Sequence, residues 1–223
     1  IAAGLFTSIN GSTKNRIVRL NPNGGVDATF NMGVGFDDAV YDLKISSSGK
    51  ILVGGSFKKY NNNNTYHFAI LNSDGTIYSS GHTGQGPDTG SEYVYFSTLQ
   101  NDGKLIIGGN FVSFSSMPIN RIARLQANGH LDDSFNTGTG ANAPVYAGVV
   151  QNDSKVIIGG SFTSYNGSSA KCLTRLNVNG SIDPSFLTGT GANALINSIA
   201  LQPDGKILVG GDFTIYNGTT VSR

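Results

Sequence analysis

Apolar and polar positions fall in short runs along this chain, and one run keeps returning. Its clearest copy is Lys155-Val156-Ile157-Ile158-Gly159-Gly160-Ser161-Phe162. Sister copies run from Lys50 to Phe57, Lys104 to Phe111 and Lys206 to Phe213, and a worn copy, Ile1 to Phe6, opens the chain. The closing phenylalanines Phe6, Phe57, Phe111, Phe162 and Phe213 lie 51, 54, 51 and 51 residues apart. A fixed period with one three-residue insertion is an internal repeat. Other positions keep the phase: Arg16, His67, Arg121, Cys172 and Arg223 follow each phenylalanine by ten residues. Asp27, Tyr78, Asp132 and Asp183 follow by twenty-one.

The pattern predicts four short β segments per repeat. Val145 to Gln151 is an apolar run rich in β-formers, and Asn152-Asp153-Ser154 is a turn where sister copies have Asn101-Asp102-Gly103 and Pro203-Asp204-Gly205. Asp-Gly between two apolar runs signals a hairpin, because glycine takes the positive φ that the turn needs. Lys155 to Phe162 is the second strand, and its glycine pair marks a close backbone approach or a bulge. Tyr165-Asn166-Gly167 begins a polar loop, the third strand opens at Cys172, and Asn177-Val178-Asn179-Gly180 turns into the fourth at Ser181.

Four antiparallel strands per repeat, with no helical period anywhere, is the pattern of an all-β propeller blade. Counted from the phenylalanines, the repeats run over 6–56, 57–110, 111–161 and 162–212, with a partial one at 213–223. The chain 1–223 thus reads as a single β-propeller domain or a propeller fragment of about four repeats, cut inside a blade at both ends. The expectation is an incomplete ring or open arc, completed by further sequence or a partner.

Several phrases carry a family resemblance. Leu201-Gln202-Pro203-Asp204-Gly205-Lys206-Ile207-Leu208-Val209-Gly210-Gly211-Asp212-Phe213, Arg121-Ile122-Ala123-Arg124-Leu125 with Asn128-Gly129, and Leu131-Asp132-Asp133-Ser134-Phe135-Asn136 resemble the bacterial delta-60 β-propeller repeat. The resemblance covers essentially the whole chain. It implies a propeller in large secreted or surface proteins of bacteria and in some phage-like proteins, and no enzymatic activity. The second unit departs most, with His67, Tyr78 and Gly81 at the Arg, Asp and Phe positions and an insertion near Gly86 to Ser91.

Composition narrows the function classes. The net charge is +1 and only 13% of residues are charged, so there is no basic footprint for nucleic acid or a membrane surface. No apolar stretch approaches the length of a membrane helix. Trp is absent, which excludes a Trp-lined sugar platform and leaves Tyr to supply one. The single cysteine, Cys172, reads as a small buried residue and allows no intrachain disulfide.

The candidate chemistry is sparse. His67, His82 and His130 share no phase and no metal-ligand spacing. Asn21, Asn23 and Asp27, or Asn177, Asn179 and Asp183, offer one carboxylate per turn, too few for calcium. Each Asp instead suits the task of bonding the backbone N–H groups of the next turn. Arg16, Arg19, Arg121 and Arg124 are expected to pair across blades with Asp27, Asp132 or Asp183. Tyr41, Tyr95 and Tyr146 share one phase, where the last repeat has Asn197; aromatics so placed usually build the core between blades, and a ligand platform is the alternative. The ligand-contact candidates are therefore Tyr41, Tyr95, Tyr146, Asn197 and His82. The expected function is a non-catalytic interaction and scaffold module of a larger extracellular or cell-surface protein. Its partners would be other domains or chains of that assembly, and no cofactor, nucleic acid or membrane insertion is expected. A glycan-binding lectin is the alternative, with near-identical pockets between blades.

Overall fold

The structure of the protein, a computed structural model, describes residues 1–78, 86–87 and 92–221. Its regular structure is all strand. Val40–Ile45, Ile51–Gly55 and Phe68–Leu71 form an antiparallel three-stranded sheet. The same order recurs in Val94–Leu99, Leu105–Gly109 and Ile122–Leu125, and again in Val145–Val150, Val156–Gly160 and Leu173–Leu176. Two shorter sheets flank these, Ala2–Ala3 with Ile17–Val18 and Ile196–Leu201 with Ile207–Gly211. The fourth segment of a blade is present but minimal. It joins by one bridge, Leu20 to Val26, Leu71 to Ile77, Leu125 to Leu131 or Leu176 to Ile182. The blades straddle the repeat boundaries, because each marker phenylalanine falls between the second and third strands.

The propeller arrangement follows from which strands touch. The first strands of successive blades pack against one another, so each first strand is the inner edge of its sheet. The middle strand is buried on both faces, as expected for a short continuous apolar run. Phe57, Phe111 and Phe162 are fully buried just beyond it, and Phe213 is nearly so. Two of the joints seat a branched side chain of one blade on a glycine of the blade before, while between them Phe96 fills the space over Gly108 of its own blade and Gly148 of the next. Val94 lies over Gly54, and Ile196 with Ile199 lies over Gly159. The last blade lacks such a cover among the described residues: Leu208 is 54% exposed, whereas Leu52, Ile106 and Ile157 at the same phase are at most 4% exposed.

Three expectations are corrected. The polar stretches after the marker phenylalanines are small hairpins rather than loops: Ser8–Ile9 with Ser12–Thr13, Lys59–Tyr60 with Asn63–Asn64, Ser164–Tyr165 with Ser168–Ser169, and Ile215–Tyr216 with Thr219–Thr220. Tyr60 and Tyr165 bury their rings there and donate from the hydroxyl to the Gly75 and Gly180 carbonyls. Next, the position ten residues past each phenylalanine does not open the third strand. Arg16, His67, Arg121 and Cys172 all take φ between 64° and 68°, a left-handed residue just before that strand. The repeat there keeps a backbone shape at four positions that carry three different side chains.

The third correction concerns the arginines. Their carboxylate partners lie in the same blade, not across a joint. Arg124 Nε meets Asp132 at 2.7 Å, Arg19 meets Asp27 at 2.7 Å and Arg175 meets Asp183 at 2.8 Å. Each guanidinium also lies over a phenylalanine ring, Phe135, Phe30 or Phe186. What crosses the joint is the other end of the fork: Arg124 donates to the Val178 carbonyl and Arg19 to that of Ser73. Arg16 and Arg121 take no part in these pairs. The aspartates do bond the following turn as expected, accepting from the backbone N–H of Thr29, Ser134 and Ser185. Lys104 and Lys155 add a second cation to Asp132 and Asp183, at 2.9 and 2.8 Å. In the divergent second unit Tyr78 stands in for the aspartate, and Lys50 Nζ sits 3.6 Å above its ring instead.

Candidate functional site

The glycine pair of the second strand builds the site. In every complete pair of first and second strands the register slips at the same place. Val40 faces Gly55 and Asp42 faces Gly54, so Tyr41 between them has no partner. The same slip leaves out Tyr95, Tyr146 and Asn197. All four are the extra residue of a β-bulge, a device that bends a strand and re-aims one side chain. Glycine is required opposite the bulge, because the bent strand pushes a carbonyl into the second strand. A Cβ on Gly55, Gly109, Gly160 or Gly211 would strike the carbonyl oxygen of Ala39, Tyr93, Pro144 or Leu195. That oxygen instead accepts the N–H just past the glycine pair, from Ser56, Asn110, Ser161 or Asp212, at 2.9 to 3.1 Å.

Because the first strands form the inner edges, the bulged side chains of different blades meet. Tyr41 and Tyr95 have ring centroids 5.7 Å apart, and Tyr95 and Tyr146 are 5.1 Å apart. Tyr93 joins them, 6.2 Å from Tyr41 and 6.1 Å from Tyr95. The rings tilt by 42° to 83° to one another, so they form facets rather than a flat stack. Tyr41 is 46% exposed, Tyr93, Tyr95 and Tyr146 are half-buried, and Asn197 is exposed at the next blade. These tyrosines are therefore not core between blades. Nor do they line separate pockets at each joint; they share one continuous arc. Burial, and then the neighbouring Tyr146, Tyr41 and Tyr93, hold the Tyr95 hydroxyl above its ordinary pKa.

Two further contacts frame the arc. Asp42, beside Tyr41, reaches the next blade and accepts from the Ser97 backbone N–H at 2.6 Å and from its hydroxyl, while Lys44 binds its other oxygen. His67 stands edge-on to the Tyr93 ring, 5.9 Å between centroids. The candidate His82 lies outside the described residues. Tyr93 went unanticipated because its phase carries Ala39, Pro144 and Leu195 elsewhere, so the repeat gives no sign of it. The signal available was local: Tyr93-Val94-Tyr95 puts a second ring two residues from a phased one.

The remaining candidates do not converge. Asn23 and Asn179 accept the backbone N–H of Gly25 and Ser181, and Asp27 and Asp183 are taken up by Arg, Ser and Thr. No group of three metal-ligating side chains occurs among the described residues. No helix among them is long and apolar enough to cross a membrane.

Repeated antiparallel sheets meeting along their inner strands define a β-propeller repeat protein. The chain belongs to the family described as "Domain of unknown function (DUF5122) beta-propeller", whose model matches residues 1–30, 46–77, 100–135, 151–186 and 202–223. Among curated proteins none matches it by sequence. Two solved structures are similar. The WD40 beta propeller domain of Doa1 is 17% identical with a TM-score of 0.49, over 78% of this chain and 48% of that one. Streptogramin B lyase is 18% identical with a TM-score of 0.45, over 89% of this chain and 62% of that one. The chain thus spans less than two thirds of either.

Proposed function

We propose that this chain is a non-catalytic interaction and scaffold module, of the delta-60 repeat kind, within a larger extracellular or cell-surface protein of a bacterium or phage-like particle. The observation that carries this reading is a division of labour among the repeated side chains. The phased acids and bases pair with each other inside the blades, at 2.7 to 2.9 Å. The phased bulge residues form an uncharged aromatic surface instead. Acid–base chemistry needs titratable groups converging on one point with room for a substrate, and these are tied to each other. An aromatic arc held by inflexible bulges is suited to recognition, because rigid rings bind with little loss of conformational freedom.

The test is retention on cell-envelope material. Labelled protein is incubated with envelope fractions of bacteria, and the Tyr95→Ser/Tyr146→Ser variant is compared after its melting curve has been matched to the parent's. Retention by the parent and its loss in the variant is the expected outcome. Equal retention of a folded variant would overturn the assignment of this surface.

A further inference from the structure

We infer that the arc of Tyr41, Tyr93, Tyr95, Tyr146 and Asn197 binds a neutral oligosaccharide, its apolar sugar faces laid on the rings and its hydroxyls bonded to the rim. The inference rests on the reading of this arc as the interaction surface and names its ligand class.

The chemistry of the surface selects among ligands that bind aromatic rings. The five residues carry no charge, and the described carboxylates beside them in the chain are occupied, Asp42 by Ser97 and Lys44 and Glu92 by the Val112 N–H and the Ser113 hydroxyl. An anionic or cationic ligand would find no counter-charge there. None of the four tyrosine hydroxyls hydrogen-bonds to another group among the described residues. Each is a donor and an acceptor, and Asn197 adds an amide that is both. The inner edge of each first strand adds backbone N–H and C=O groups that no strand of its sheet pairs, apart from the Val40 and Ser97 N–H groups, which Gly4 and Asp42 take across the joint.

A ligand that covers this surface must answer both donors and acceptors, since a buried polar group left without a partner costs about 1 to 3 kcal/mol. A quaternary ammonium offers neither kind. A proline-rich peptide offers mostly acceptors, because proline has no N–H. A saccharide offers an apolar ring face for each tyrosine facet and hydroxyls that serve as donor or acceptor. The facets also set a minimum size: Tyr41, Tyr95 and Tyr146 follow one another at 5.7 and 5.1 Å, which suits a chain of sugar units over a single one.

The protein lends itself to a direct assay. It has nine tyrosines and no Trp, so its intrinsic emission comes from tyrosine alone. Saturation-transfer NMR and tyrosine emission would be recorded with maltotriose, cellotriose and chitotriose, and separately with choline and a proline-rich decapeptide. Transfer to at least one trisaccharide is expected, with its dissociation constant raised at least tenfold in Tyr95→Ala. Tyr41→Ala, at the most exposed ring, should weaken binding several-fold with an unchanged melting curve. Tyr95→Phe keeps the facet and loses the hydroxyl, and is expected to fall between Tyr95→Ala and the parent. No transfer to any trisaccharide, or equal transfer in Tyr41→Ala and Tyr95→Ala, would overturn the inference. So would binding of choline or the peptide in place of the sugars. If envelope retention depends on the arc yet no trisaccharide competes, the glycan class falls and the interaction reading stands. If retention ignores the arc, both fall.

Discussion

Asp132 shows how much rests on a single side chain. Its burial resists ionisation, but the Ser134 hydroxyl, Lys104 and Arg124 outweigh that and hold the carboxyl well below its ordinary value of 3.8. A carboxyl whose folded pKa is depressed stabilises the fold above its unfolded pKa, and that contribution drains away as pH falls toward the folded value. The protein should therefore keep its melting temperature down to about pH 4 and lose it below, by the linkage relation. In Asp132→Asn the midpoint starts lower, because the buried Arg124 loses its partner, and its acid slope should be shallower. Calorimetry between pH 6 and 2 checks this; parallel slopes would show that the ion pair is not the acid-sensitive part. The recurrence of these aspartates was legible in the sequence, since Asp27, Asp132 and Asp183 keep one phase. Their partners' positions were not, because a strand pattern does not say whether a fork eight residues away folds back on its own blade. Tyr93 was hidden from the repeat for a different reason: phase reveals what blades share, and this ring belongs to one blade only, leaving just the local Tyr93-Val94-Tyr95 pattern to mark it.

Among the elements, the bulge and the glycine pair form one device. The second strand would be a better β-former with Val or Ile in place of its glycines. It keeps Gly109 and Gly160 because the carbonyls of Tyr93 and Pro144 occupy the space a side chain would need. Backbone on both sides cannot yield as a side-chain tip can. Gly160→Ala should therefore destabilise the protein by about 1 to 3 kcal/mol, the usual cost of overpacking, read from urea midpoints. It should also turn Tyr146 out of the arc, seen as a loss of its ring contacts in NMR. An unchanged midpoint would mean that the bulge relaxes freely. The glycine pair announced a close approach in the sequence, and the structure identifies it. What stayed hidden was the side chain the bulge re-aims: alternation assigns Tyr41, Tyr95 and Tyr146 to the face of a regular strand, and the extra residue takes them off that face.

Over the whole molecule, the blades stack one upon the next, so stability varies with position along the chain. Val156–Gly160 lies under the following blade, whereas Ile207–Gly211 is open on one face. Hydrogen exchange should report this difference, with amides of Ile207–Gly211 exchanging at least tenfold faster than those of Val156–Gly160, since an uncovered element opens with less free energy. Equal protection would mean that the isolated protein covers the last blade by self-association. The propeller itself was readable from the period alone, which depends on nothing but sequence. Which residues the last blade leaves open was not, because Leu208 sits in a copy of the motif that buries Leu52 and Ile157.

The joints between blades have a bearing on how such a chain could change. Val94 on Gly54 and Ile196 on Gly159 are one socket used twice, so either blade presents the next with the same seat. A gene encoding such a chain could gain or lose a whole unit at a joint of this kind and the blades on either side would still fit one another, whereas the joint filled by Phe96 over Gly108 and Gly148 has no such interchangeable seat. A change of part of a unit would put the wrong residue over every later glycine, and variation in length would be confined to the stretches between blades, where the second unit carries its three extra residues.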